Sequence, residues 1–254
     1  MTRMNRIGPD GNFSTIPQRG GLMGNRGILH DADGAWGGRK WAHRSWVSCV
    51  LDFKGRKQTI NAPGRYTQLF FLDEAVALSA GHRPCHSCRG EASADFLARY
   101  HRLHGTGSAA EVDKRLNAMR CQRGGVQVRF EADAQDLPAG SFVLQGAQAL
   151  LLLGQGARAY LGDQYGAEVA RPTSRVTVLT PAPIIAVLAD GYLPQLHSSA
   201  TNKGRGNPRP LFVASVQIRP ACPSGFPDGR RSFPAAARQA RRRSPGDPPT
   251  ASLT

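Results

Sequence analysis

Apolar and polar positions change their period several times along this chain, and the changes outline its elements. From Ser45 to Asp52 the run is rich in β-branched and aromatic residues, which predicts a strand. Phe53 to Arg56 supplies a turn, and Lys57 to Asn61 reads as the returning strand of a hairpin. After the Pro63-Gly64 break, Tyr66 to Leu72 is a further extended apolar piece. A short helix follows: Asp73 suits the N-cap, Glu74 to Ala80 favours helix, and Gly81 fits the left-handed stop. Glu91 to His104 predicts a second helix with Phe96, Tyr100 and Leu103 on one face. Ser108 and Glu111 form a capping box for a third, with the stripe Val112, Leu116 and Met119.

Beyond about residue 125 the period shortens. Val126–Phe130, Ser141–Leu144, Ala149–Leu153, Ala157–Leu161 and Val176–Leu179 alternate or run apolar between glycines, as in a small antiparallel sheet or partly open barrel. Thr180-Pro181 predicts a helix start and Gly191 its end; Leu211 to Ile218 reads as a last strand. The expected fold class is therefore α+β. An irregular segment (1–25) leads into a small metal-type module with a hairpin and short helices (26–125). A β-rich module (126–220) follows, and then a disordered basic tail (221–254) rich in Pro, Arg, Ser and Ala, which includes Arg241-Arg242-Arg243.

Charge sharpens this division. The 254 residues carry 33 Lys or Arg against 18 Asp or Glu, a formal net charge of +15. Residues 31–130 hold a net +7, whereas 131–220 are near balance at +1. No apolar run approaches the ~18 residues of a membrane helix, and the N-terminus lacks the apolar core of a secretory signal. An odd cysteine count of 5 does not suit a disulfide framework. These features predict a cytoplasmic protein with no membrane partner and an anionic one.

The candidate chemistry lies in Gly81-His82-Arg83-Pro84-Cys85-His86-Ser87-Cys88-Arg89. A C-x-x-C turn places two thiolates about 3.5–4 Å apart, the edge of a zinc–sulfur tetrahedron. Arg83 and Arg89 are expected to ease the cost of adjacent thiolates. A redox dithiol is the alternative, but that motif belongs between a strand and a long helix.

Together with Phe70-Phe71 and the short Ala-rich helix, this segment resembles the zinc-binding module of the Ada-type DNA methylphosphotriester repair proteins. The likeness is close over residues 70–89 and loose over 41–69. The chain from Gly24 to Cys88, with its β-rich half, also resembles bacterial proteins that carry such a module. The resemblance implies a zinc held by four cysteines, two from an upstream C-x-x-x-C and two matching Cys85 and Cys88. One upstream thiolate would accept a methyl group from a DNA phosphotriester. Here Cys49 is the sole cysteine before residue 85, so it is the one available methyl acceptor, and the upstream pair is incomplete. A closed zinc site then needs another ligand from His30, His43, His82, His86 or Cys121. His30, beside Asp31 and Asp33, is the favoured one.

The same region predicts a nucleic-acid partner, most simply DNA. Arg44, Lys54, Arg56, Lys57 and Arg83 would contact phosphates, with Trp41 and Trp46 either stacking on bases or packing in the core. Two other readings remain open at this point: a metal-dependent hydrolase or nuclease built on His30, Asp31, Asp33 and His43, and a zinc-stapled protein-interaction module.

Overall fold

A computed structural model of the chain describes residues 3–201 apart from Gln18, Lys57 and Arg123. The expected last strand Leu211–Ile218 and the basic tail lie outside the described residues. The fold is α+β, built on two six-stranded sheets. The first joins β1 (Arg6–Ile7), β2 (Phe13–Ser14), β3 (Leu22–Asn25), β4 (Val47–Val50), β5 (Leu69–Phe71) and β6 (Arg83–Pro84), in the order β2-β1-β5-β3-β4-β6. Its pairs β1·β5 and β4·β6 are parallel; the others are antiparallel.

The second sheet joins β7 (Phe130–Asp133), β8 (Phe142–Gln145), β9 (Gln148–Leu152), β10 (Gly156–Tyr160), β11 (Tyr165–Ala170) and β12 (Arg175–Val178), in the order β11-β10-β9-β8-β12-β7. It is antiparallel throughout. The α-helices are α1 (Glu74–Ser79), α2 (Gly90–His104), α3 (Ala109–Arg120) and α4 (Ala182–Ala189). Among the described residues no helix is long and apolar enough to cross a membrane.

Local signals place the helices. Asp73 caps α1 by accepting from the Val76 N–H at 3.0 Å, and Gly81 turns the chain at φ +82°. Gly105 ends α2 in the left-handed region. Ser108 Oγ accepts from the Glu111 N–H at 3.3 Å to start α3. Of the expected stripes, Phe96, Tyr100, Val112 and Leu116 are buried, whereas Leu103 and Met119 are exposed.

Several expected elements are replaced. The turn at Lys54-Gly55 forms, but no hairpin follows it, because both edges of β4 are already taken by β3 and β6. Residues 6–25, expected to be irregular, supply three strands of the first sheet. The strand expected at Val126–Phe130 begins only at Phe130, where pairing with Val178 starts. β11 answers to no expected strand. Thr180 is not the cap of α4: its hydroxyl accepts from the Phe142 N–H at 2.9 Å, and Pro181 stands at the helix start without a side-chain cap.

The boundary expected near residue 125 separates the sheets but not the packing. Ile7, Leu22, Phe71 and Val76 share one core cluster with Phe142, Leu151, Tyr165 and Leu179. Gly24 permits this: a Cβ there would lie 2.3 Å from the Phe71 ring, so only glycine lets that ring sink fully into the core. The Gln127 side-chain amide ties the same region together. It lies within hydrogen-bond distance of the carbonyls of Pro9, Ser79 and Leu179, at 3.0, 3.1 and 3.0 Å.

Candidate metal centre

Cys49 sits on β4, one residue beyond Ser48, which pairs with Pro84 on β6. The ladder continues into the C-x-x-C turn, where the Cys85 N–H donates to the Ser48 carbonyl at 2.9 Å. The Arg89 N–H then donates to the Cys85 carbonyl at 3.0 Å, closing the turn just before α2. Parallel pairing of two short strands therefore delivers a cysteine 36 residues upstream to the turn. The sulfurs of Cys49, Cys85 and Cys88 all lie within 4.8 Å of one another, and none is in a disulfide. Three thiols at this spacing can hold a metal ion.

The electrostatics suit ligation. The Cys49 thiol and the N–H groups of Cys88 and Ser87 donate to Cys85 and hold its thiol down to about 4, which places a thiolate in the cluster at neutral pH. Cys49 is pushed up by its bond to Cys85 and by burial, and Cys88 is pushed up chiefly by burial.

Arg83 and Arg89 do not serve as free cations beside the thiols. Arg83 forms a two-pronged pair with Asp113 of α3, at 2.8 and 2.9 Å. Arg89 pairs with Glu74 at 2.7 Å and donates to Ser48 Oγ at 3.0 Å. Glu74 in turn accepts from the Tyr192 hydroxyl and the Gln195 N–H. These buried pairs anchor the turn to α1 and α3, so Arg83 is withdrawn from the set of phosphate-contacting residues.

Behind the turn lies a cationic core. His82 packs between Trp46 and Phe71, with ring centroids 5.2 and 4.7 Å away. Its Nε2 accepts from Arg26 Nε at 3.3 Å, and burial together with Arg26 and Arg120 drives its pKa well below the ordinary value. The guanidinium carbons of Arg26 and Arg120 lie 4.0 and 3.8 Å from the Trp46 ring. Trp46 is thus core, not a base-stacking platform.

None of the expected fourth ligands joins the cluster. His30 is held by Thr67 Oγ1 at 2.6 Å on Nδ1 and by the Ala62 carbonyl at 3.3 Å on Nε2. His43 bonds Asn25. His86 is exposed on the turn. Cys121 is buried beside the Asn117 carbonyl. Nor do His30, Asp31, Asp33 and His43 gather into a metal-binding group among the described residues. Asp31 instead caps its own turn by accepting from the Asp33 and Ala35 N–H groups.

The three cysteines line a groove of about 1240 Å³, whose walls also carry Arg3, Arg6, Arg19, Arg56 and Tyr66. Asp52 is the one carboxylate among its described lining residues. Of the expected basic residues that are described, only Arg56 reaches the groove, its guanidinium 5.6 Å over the Phe53 ring. Arg44 and Lys54 are exposed outside its lining, and Lys57 lies outside the described residues. Arg3, Arg6 and Arg19 were hidden in the segment read as irregular; strands of two residues, such as that of Arg6–Ile7, leave almost no periodic trace. Comparison of the chain with family models, curated proteins and solved structures finds no match.

Proposed function

We propose that the chain is a zinc-thiolate protein that binds a phosphate-bearing polymer, most simply DNA, along the arginine-lined groove. The observation that carries this reading is the convergence of Cys49, Cys85 and Cys88 on the same groove as Arg3, Arg6, Arg19 and Arg56. Clustered thiolates favour zinc over hard cations. Guanidiniums favour phosphate oxygens, to which they offer paired donors.

Purified protein should carry one zinc per chain, and Cys88→Ser should lose it. Duplex binding should weaken steeply with salt. Arg19→Ala and Arg56→Ala should each lower the slope of log affinity against log salt by about 1, as expected for loss of one phosphate contact. Retention of zinc by Cys88→Ser, or salt-independent binding, refutes the reading.

Cys49 on the groove wall also favours a second reading, that of a methyl acceptor. Cys49, losing its proton to solvent on metal ligation, would attack the methyl carbon of a methylphosphotriester as a thiolate; the S–C bond would form as the C–O bond breaks, and the phosphodiester would leave as its anion. Mass spectrometry after incubation with such an oligonucleotide decides this: an adduct on Cys49 supports it, and an unmodified Cys49 excludes it.

A further inference from the structure

A closed structural zinc site takes four protein ligands, and a site with three keeps a position for an outside group. Among the described residues no further His, Cys, Asp or Glu joins Cys49, Cys85 and Cys88 at their spacing. His30, His43, His82 and Cys121 are each engaged elsewhere, by Thr67, Asn25, Arg26 and Asn117, and His86 is exposed on the turn outside the cluster. The three cysteines instead border an open groove, whose described lining also carries Arg3, Arg6, Arg19 and Arg56.

We propose that the fourth position of the metal centre is filled from the groove, by a phosphate oxygen of the bound polyanion. The inference rests on the reading above, that the thiols hold a metal and the groove holds a polyanion. Three thiolates on a divalent cation carry a net charge of −1, so an oxyanion would be repelled from the bare cluster. Arg3, Arg6, Arg19 and Arg56, set against Asp52 as the one carboxylate among the described lining residues, reverse the sign of the surroundings and make entry favourable. Metal and polyanion then become thermodynamically linked, each raising the affinity of the other by the same factor. A closed four-ligand site would keep its ligand set unchanged when the polyanion binds.

The test uses the full chain loaded with Co(II), whose visible absorption reports its ligands, titrated with a mixed-sequence DNA duplex. Wild type is compared with Cys222→Ser, which removes a thiol outside the described residues, and with the Arg19→Ala/Arg56→Ala double variant. The expected result is a saturable change in the Co(II) bands that tracks duplex binding measured by fluorescence anisotropy. The affinity for Co(II), measured by competition with a chelator, should rise at least about fivefold, the low end of couplings between sites. Cys222→Ser should behave as wild type, and the double variant should keep its metal but lose the spectral response. Duplex binding with unchanged bands overturns the proposal, as does a Cys222→Ser protein whose bands differ before DNA is added. Failure to take up Co(II) removes the metal reading beneath it, and Co(II) uptake without duplex binding removes the polyanion; in either case the proposal falls.

Discussion

Arg83 and Asp113 meet through two hydrogen bonds, with their side chains only 8% and 5% exposed. Removing one partner leaves the other charged and buried, so Asp113→Ala should cost about 3–5 kcal/mol in denaturant unfolding. A loss under about 1 kcal/mol would mean that water reaches the pair. His82 carries a second consequence. Its folded pKa lies below the unfolded value of 6.5, so below that pH the unfolded chain binds more protons than the folded one. Stability should fall as pH drops through 6.5, by at most about 1.4 kcal/mol per pH unit from this residue. His43 and His104 are shifted the same way and add to the slope. Measured at pH 7.5 and pH 5.5, His82→Gln should show a smaller difference than wild type; an equal difference would assign the slope elsewhere. Residue types told the reader which sulfurs could ligate, but not which charges were free. Arg83 and Arg89 look like surface cations in the sequence because their partners, Asp113 and Glu74, are distant or belong to another element.

Helices were legible because their signals are local. The cap at Asp73, the stops at Gly81 and Gly105, and the cap at Ser108 each act within one turn of chain. Asp73 also shows what a local signal omits. Its carboxylate accepts from Val76 N–H, and from the Tyr165 hydroxyl and His197 N–H as well, each of these two at 2.9 Å. Asp73→Ala should therefore cost roughly 2–4 kcal/mol, above the ~1 kcal/mol of an ordinary cap, because buried donors lose their partner. Thermal unfolding of Asp73→Ala beside Ser108→Ala, a plainer cap, would expose the difference. Strands were the harder case. β1, β2 and β6 are two residues long, and β4 takes partners at positions 22–25 and 83–84 rather than from the turn beside it. Pairing at that range has no period to read.

At the scale of the whole molecule, the α+β class and the change of character near residue 125 were visible in the sequence, because hydrophobic period reports the content of an element. The shared core was not visible, since it depends on which faces meet. Charge behaved in the same way. The net +7 of residues 31–130 suggested a basic face, yet Arg83, Arg89 and Arg120 of that stretch are turned inward, while Arg3, Arg6 and Arg19 from the first 25 residues line the groove. The sulfur cluster was two-thirds readable, through the C-x-x-C, and Cys49 followed from being the sole upstream thiol.

Gln127 carries the last consequence, which concerns time rather than architecture. The three carbonyls its amide reaches belong to residues 9, 79 and 179, so no two of them are close along the chain. Contacts that need three such distant segments in place form after the rate-limiting step of folding, when the loops between them are already closed. Gln127→Ala should then leave the refolding rate nearly unchanged and act on unfolding. A destabilisation of about 2 kcal/mol would speed unfolding roughly thirtyfold. Stopped-flow chevrons would show the change in the unfolding arm alone, and a slowed folding arm would instead place this junction in the nucleus. In the first case one amide sets the lifetime of the native state without helping to reach it.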